Sequence, residues 1–275
     1  MALGTKILLI ALLFLQFGCG AAVSRSAGPG ERPEDAAKPV TLLPLGNPSG
    51  AAADPANADN YLLVHRSFAA SYNNSRGTVN WVAWKTTAAD LGEALPRPDF
   101  SDDLSLPPQF YRAKPSDYSR SGFDRGHLVP SADRFGDAGL NAELFLMTNV
   151  VPQTSELNQF PWQKFESYAR TLVRKGYDVY AISGVLGSRG LIANRITVPA
   201  SCWKILYYLP AGNDPVADSH EARVVAVDMP NIAGISAERW IKFKVSVREL
   251  EQKTGYDFLS TLAAAEQQRL EIGLN

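Results

Sequence analysis

Cysteine and histidine are scarce in this 275-residue chain, which has two Cys and only three His, at positions 65, 127 and 220. Two thiols exclude a disulfide-built scaffold and a multi-cysteine zinc site, and three imidazoles leave little material for a His-rich metal centre. Neither sign of charge is in excess. Lys plus Arg number 27 against 28 Asp plus Glu, so the overall balance supplies no broad basic surface for nucleic acid or membrane. There is no G-x-S-x-G, which removes the usual serine-hydrolase signature. Gly184, Gly187 and Gly190 form neither a dinucleotide fingerprint nor a phosphate loop, and their spacing predicts a turn. What is present is apolar material: 45% hydrophobic and 20% charged residues are enough to bury a core.

The N-terminal 22 residues have one lysine, Lys6, an apolar run from Ile7 to Leu15, and small residues around Gly18-Cys19-Gly20-Ala21-Ala22. That order is the order of a secretory signal, and the run is short of the ~20 residues a spanning helix needs. The expectation is a secreted or periplasmic protein without stable membrane association, with lipidation at Cys19 as the minor alternative. Residues 23–59 are rich in Ala, Gly, Pro and Ser, which predicts a linker leading into the start of a domain, and residues 60–275 form the main domain. Once the signal is removed, Cys202 is the remaining thiol. Its apolar neighbours in Cys202-Trp-Lys-Ile-Leu-Tyr-Tyr-Leu209 predict a buried strand position.

Alternation and β-formers predict strands over 79–85, 178–183, 203–209 and 223–227. Helical periodicity marks about 160–175, 236–241 and 246–272, the first with a stripe of Trp162, Phe165, Ala169, Leu172 and Val173 ending at Gly176. No regular helix separates each successive strand pair, so a doubly wound parallel sheet is disfavoured. The predicted class is α+β, with a largely antiparallel central sheet flanked by helices.

The stretch Gly122-Phe-Asp-Arg-Gly-His-Leu-Val-Pro130 packs Asp124, Arg125 and His127 into four residues, with Gly126 expected to allow a tight turn. A guanidinium can hold a phosphate while a neutral imidazole removes a proton from water. On these residues alone, a loop histidine beside a surface arginine is an equal reading. Downstream lie Asn149-Val-Val-Pro-Gln153, then Asn158, and Glu166 eight residues beyond it. In this order the sequence resembles the DNA/RNA non-specific endonucleases of the ββα-metal superfamily, the endonuclease G-like family, and most of all its secreted cyanobacterial-type sugar-nonspecific members. The likeness extends through Asn60-Tyr-Leu-Leu63, Asn80-Trp-Val-Ala-Trp84, Pro130-Ser-Ala-Asp-Arg134 and Thr254-Gly-Tyr-Asp-Phe-Leu259.

The resemblance implies a ββα-metal catalytic motif, and residue roles follow from it. His127 matches the general base. Asn158 matches the direct protein ligand of a hydrated Mg²⁺ (or Mn²⁺), and Glu166 the carboxylate that holds water around that ion. Arg125 would bind or polarise the phosphate, and Arg97 and Arg170 align with basic residues around it. The implied reaction is hydrolysis of DNA and RNA, single- or double-stranded, to 5′-phosphate and 3′-hydroxyl ends, with a small protein inhibitor as a further partner. Residue by residue, plainer readings stand beside these. Asn158 could cap the helix that follows, and Glu166 and Arg170, four apart, could form an ordinary surface pair. Asn149 reads as a structural hydrogen-bonder, Asp124 as a residue that orients the loop, and His65 and His220 as structural or surface. The competing function is an exported nucleic-acid-binding protein without catalysis.

Overall fold

The structure is a computed structural model that describes residues 42–273. The signal-like stretch 1–22, Cys19 and residues 23–41 of the linker-like segment lie outside the described residues. The strands, in chain order, are β1 (Tyr61–Val64), β2 (Ala69–Asn73), β3 (Thr78–Thr86), β4 (Asp124–His127), β5 (Val150–Gln153), β6 (Tyr177–Leu186), β7 (Leu191–Ile192), β8 (Ile196–Thr197), β9 (Ser201–Pro210), β10 (Arg223–Pro230) and β11 (Lys244–Val245). Four helices are labelled: α1 (Ala138–Glu143), α2 (Gln163–Arg174), α3 (Val247–Thr254) and α4 (Ala264–Glu271).

Among the described residues, the main sheet has seven strands in the order β1-β2-β3-β6-β9-β10-β11. Every neighbouring pair is antiparallel. The α+β class and the antiparallel sheet predicted above are what is observed, and the four predicted strands are its β3, β6, β9 and β10. Both faces of the sheet are covered. Along β9, Trp203, Ile205, Tyr207 and Leu209 enter one apolar cluster, while Cys202, Leu206 and Tyr208 enter another. This is the period-2 alternation of a strand with two buried faces. The rear cluster is closed by Val247 and Leu250 of α3, Leu270 of α4, and Phe258 and Leu259, with Leu43 and Leu45 packed against it.

The front face carries the long excursion between β3 and β6. Within it, β4 and β5 pair antiparallel, Gly126 opposite Val151, and the chain then turns into α2. α2 buries Phe165, Ala169, Leu172 and Val173 against the sheet, the predicted stripe, and ends at Gly176 with φ +89°. Two predicted helices change. The pattern at 236–241 becomes a single 3-10 turn, Trp240–Phe243. The segment 246–272 divides in two because Gly255 takes φ +73° and caps α3, a left-handed conformation that ends the helix. Of the three glycines expected in a turn, Gly184 instead lies inside β6, while Gly187 and Gly190 do turn the chain.

Candidate active site

Strand β4 carries Arg125 and His127, the helical segment through α2 carries Asn158, Glu166 and Arg170, and the loop after β3 carries Arg97, so all six residues singled out in the sequence come together. Arg97, Arg125, His127, Asn158, Glu166 and Arg170 line one open cleft of about 660 Å³.

Gly126 is needed there, but not for a turn. It lies in extended β4, and a Cβ on it would come within 2.0 Å of the Gln153 side chain on β5. Glycine here leaves the space that the buried Gln153 side chain occupies. The register places His127 opposite Val150. Its carbonyl accepts a hydrogen bond from Trp162 Nε1 at 3.2 Å, which ties the end of β4 to the helical arm.

The His127 ring packs against a touching pair of rings, Phe100, 5.2 Å between centroids, and Phe145, 5.0 Å and edge-on. Its Nε2 is buried without a hydrogen-bond partner. Burial, and then the positive charges of Arg97 and Lys204, push the imidazole down to about 4. It is therefore neutral at pH 7, the form that can accept a proton.

Phe100 also supports both neighbouring guanidiniums. The Cζ of Arg97 lies 5.3 Å and that of Arg125 5.6 Å from its centroid. Arg125 is further held by a 2.7 Å hydrogen bond to the Pro115 carbonyl. Among the described residues neither arginine is paired with a carboxylate. Their charge remains available to an anion.

The helical arm begins two turns before α2, at Ser155. Thr154 is its N-cap, with its side chain accepting from Leu157 N at 3.2 Å. Asn158 is therefore not the cap; it has helical backbone angles inside the arm, at the start of a π-helical turn, Asn158–Trp162. Pro161 within that turn has no N–H to donate, which is one physical reason for the widened turn. Asn158 Nδ2 donates to Asp124 Oδ2 at 2.9 Å. Gln159 Nε2 donates to the same oxygen, and Ser155 Oγ to Asp124 Oδ1. Burial alone would raise the Asp124 carboxyl, but these three donors hold it below the ordinary carboxylate range. An ionised carboxylate only accepts hydrogen bonds, so the amide must present its nitrogen to Asp124 and keep its oxygen free. Asp124 thus orients Asn158.

Glu166 and Arg170 are not paired with each other. Arg170 Nη1 lies 3.0 Å from Asp133 Oδ1, and the ion pair of Glu166 is with Lys204, 3.4 Å away. Asp133 in turn accepts from Trp84 Nε1 and Thr86 Oγ1. Lys204 stands in the middle of β9, 1% exposed, and donates to the Leu128 carbonyl at 3.0 Å. Its ammonium is 5.2 Å from the Trp84 ring centroid and 4.4 Å from that of Trp162. Burial raises the Glu166 carboxyl and lowers the Lys204 amine, and each charge opposes the shift of the other.

The remaining sequence candidates are structural. Asn149 is fully buried and bonds the Val129 and Leu144 backbone. His65 lies 2.8 Å from buried Asp103, and exposed His220 faces Glu221. Of the basic residues near the motif, Arg134 is committed to backbone carbonyls of Ser67 and Lys85, and Arg112 to those of Leu104 and Leu106. Cys202 is a buried strand residue whose thiol burial pushes up to about 12.

No cluster of three or more His, Cys, Asp or Glu able to hold a metal occurs among the described residues. The donor set is one oriented amide oxygen with a carboxylate in the same cleft. That fits a hard, strongly hydrated cation such as Mg²⁺, which keeps most of its waters, and does not fit a site needing several protein nitrogens or sulfurs.

Comparison with known proteins agrees with this geometry. Residues 46–265 match the model of a family described as DNA/RNA non-specific endonuclease. A nuclease of Nostoc sp. is 45% identical over 234 residues, 84% of this chain and 85% of that protein. Human mitochondrial endonuclease G is 29% identical over 179 residues, 60% of this chain and 58% of that one. Among solved structures, a crystal structure of an EndoG/EndoGI complex superposes with a TM-score of 0.70 at 23% identity, covering 82% of this chain and 93% of that one. At that identity the likeness speaks for the fold.

Proposed function

Because the chain belongs to the DNA/RNA non-specific endonuclease family, we propose that it is an exported, Mg²⁺-dependent endonuclease whose base is His127. The observation that carries this reading is a neutral, buried-edged imidazole flanked by two guanidiniums without carboxylate partners, in the same cleft as an amide oxygen freed by Asp124.

Arg97 and Arg125 hold the scissile phosphate, and Arg170, positioned by Asp133, adds positive potential to the cleft wall. His127 takes a proton from the attacking water. The water oxygen forms its bond to phosphorus as the bond from phosphorus to the 3′ oxygen breaks, and the leaving oxygen takes a proton from solvent. The products are a 5′-phosphate and a 3′-hydroxyl. Asn158 would ligate the metal directly and Glu166 would hold water around it; when bound, the ion neutralises charge on the phosphate and the departing oxygen. Contacts to phosphate and sugar carry no direct base readout, which suits both DNA and RNA as substrates. Export rests on the signal-like N-terminal residues. A small protein inhibitor remains a partner to test, since the structural neighbour is itself described in complex with one.

The test is incubation of the mature protein with plasmid DNA and with RNA, in Mg²⁺ and in excess EDTA, beside His127→Ala. Loss of both substrates, stopped by EDTA and by the substitution, is expected. Binding without cleavage in any divalent metal would leave a capture protein instead.

A further inference from the structure

Beside the catalytic cleft lies a second groove of about 470 Å³, and the two share one residue, Phe160. Phe160 stands in the π-helical turn two residues after Asn158, and the residue is 44% exposed. What distinguishes it is its place, where the two grooves meet. The far wall of the second groove is Trp240, whose ring lies 4.8 Å from Tyr168 and 4.9 Å from Phe165. That wall is fixed before any ligand arrives. Lys164 and Arg239 line the same groove, both exposed, and among the described residues neither is in an ion pair. The groove's one carboxylate, Glu238, is engaged by Lys242 at 2.6 Å, so the unbalanced charge in the groove is positive.

An exposed ring between cation-lined grooves matches what a single strand offers, a π-face on every base and a phosphate on every nucleotide. A paired duplex keeps its base faces stacked internally and gains less from such a ring. We propose that this groove is a subsite for the single-stranded continuation of the substrate. In it Phe160 stacks a base adjoining the cleft, and Lys164 and Arg239 hold the phosphates beyond. The inference rests on the nuclease reading of the adjoining cleft.

The experiment separates the two. Affinity of the full protein for fluorescein-labelled single-stranded DNA of about 4 and about 12 nucleotides, lengths within the span of known single-strand sites, is read by anisotropy in EDTA. Cleavage of the same oligonucleotides is read in Mg²⁺. Wild type is expected to bind the longer strand about tenfold more tightly than the shorter. Phe160→Ala and the double variant Lys164→Glu/Arg239→Glu are expected to lose that advantage, raising KM for the longer strand about tenfold. For the double variant, kcat on that strand stays within about twofold, and the salt dependence of log KM flattens by about 1.4, roughly 0.7 for each lost phosphate contact on a single strand. Equal affinity and KM for the longer strand in wild type and the double variant would overturn the subsite while leaving the nuclease standing. Wild type that cleaves plasmid DNA but neither oligonucleotide would also overturn the subsite alone, whereas wild type that cleaves neither plasmid nor oligonucleotide in Mg²⁺ would remove the nuclease reading and the subsite with it.

Discussion

The two faces of the central sheet are built from the same strands to opposite ends. On the rear, β9 contributes Trp203, Ile205, Tyr207 and Leu209 to a cluster closed by Leu250, Phe258 and Leu270. On the front, the same strand places Lys204 beneath the cleft, against Trp84 and Trp162, where it meets Glu166 and the carbonyl next to His127. Burying an ammonium costs several kcal/mol even after relaxation, and a buried pair is weak evidence for stability. Two cation–π contacts of up to ~2 kcal/mol each and charge-assisted hydrogen bonds offset that cost. The rear face therefore supplies cohesion, whereas the front face spends part of it on fixing charges where a phosphate would sit. Variants on the two faces should separate activity from stability.

The largest separation is expected at His127. His127→Ala removes the base, so kcat on plasmid DNA should fall about 10²–10⁴-fold, far more than the packing lost beside Phe100 and Phe145 would lower it in protein that is still folded. Leu250→Ala, on the rear, should do the reverse. It empties a fully buried site, costing about 2–5 kcal/mol in denaturant titration, and the variant should keep wild-type kcat at temperatures where it remains folded. Lys204→Met tests the front-face charge itself. It keeps the bulk, leaves Glu166 to be satisfied by a proton, and should lower kcat about 10–100-fold while costing less stability than Leu250→Ala. Full activity in Lys204→Met would erase the contrast between the faces.

The smallest effect concerns the loop that presents Arg97 and Phe100. Asp103 anchors that loop through His65, Ser105 and Thr148. Burial alone would raise its carboxyl, yet those partners hold it at about 2, below the ordinary 3.8. A depressed carboxylate contributes stability that is present above about pH 4 and is lost as pH falls through about 2. The contribution is on the order of 2 kcal/mol. Asp103→Asn should lose this part of the acid dependence, measured as unfolding free energy between about pH 5 and pH 2. An unchanged acid limb would show that the loop is held by other contacts.

Much of this architecture can be read along the chain because strands with strong alternation announce themselves. Trp81 and Ala83 fall on one face of β3 and Val82 and Trp84 on the other, so 79–85 was legible as a strand without its partners. The helical arm carried a clear stripe, whereas the C-terminal pattern hid its break at Gly255, since a left-handed cap interrupts the chain without disturbing the apolar spacing. The order of the motifs names Arg125, His127, Asn158 and Glu166, and the family resemblance adds Arg97 and Arg170; what ties the six down is not visible in the sequence. The Glu166–Arg170 spacing suggested a partner that each finds elsewhere, in Lys204 and Asp133, 38 and 37 residues away. Asp124 and Phe100 work through contacts that no local spacing encodes. Lys204 did leave a signal: a lone charge in the apolar run Cys202 to Leu209, on a strand buried on both sides, has to find a partner inside.

In the proposed site Asp124 holds Asn158 so that its amide oxygen is offered to a hydrated divalent ion. Mn²⁺ binding followed by electron paramagnetic resonance tests this without relying on turnover. Wild type should bind one ion, Asn158→Ala should weaken that binding at least about tenfold, and Asp124→Ala should weaken it about 10–100-fold as the amide loses its anchor. Wild-type affinity in Asn158→Ala would contradict the account.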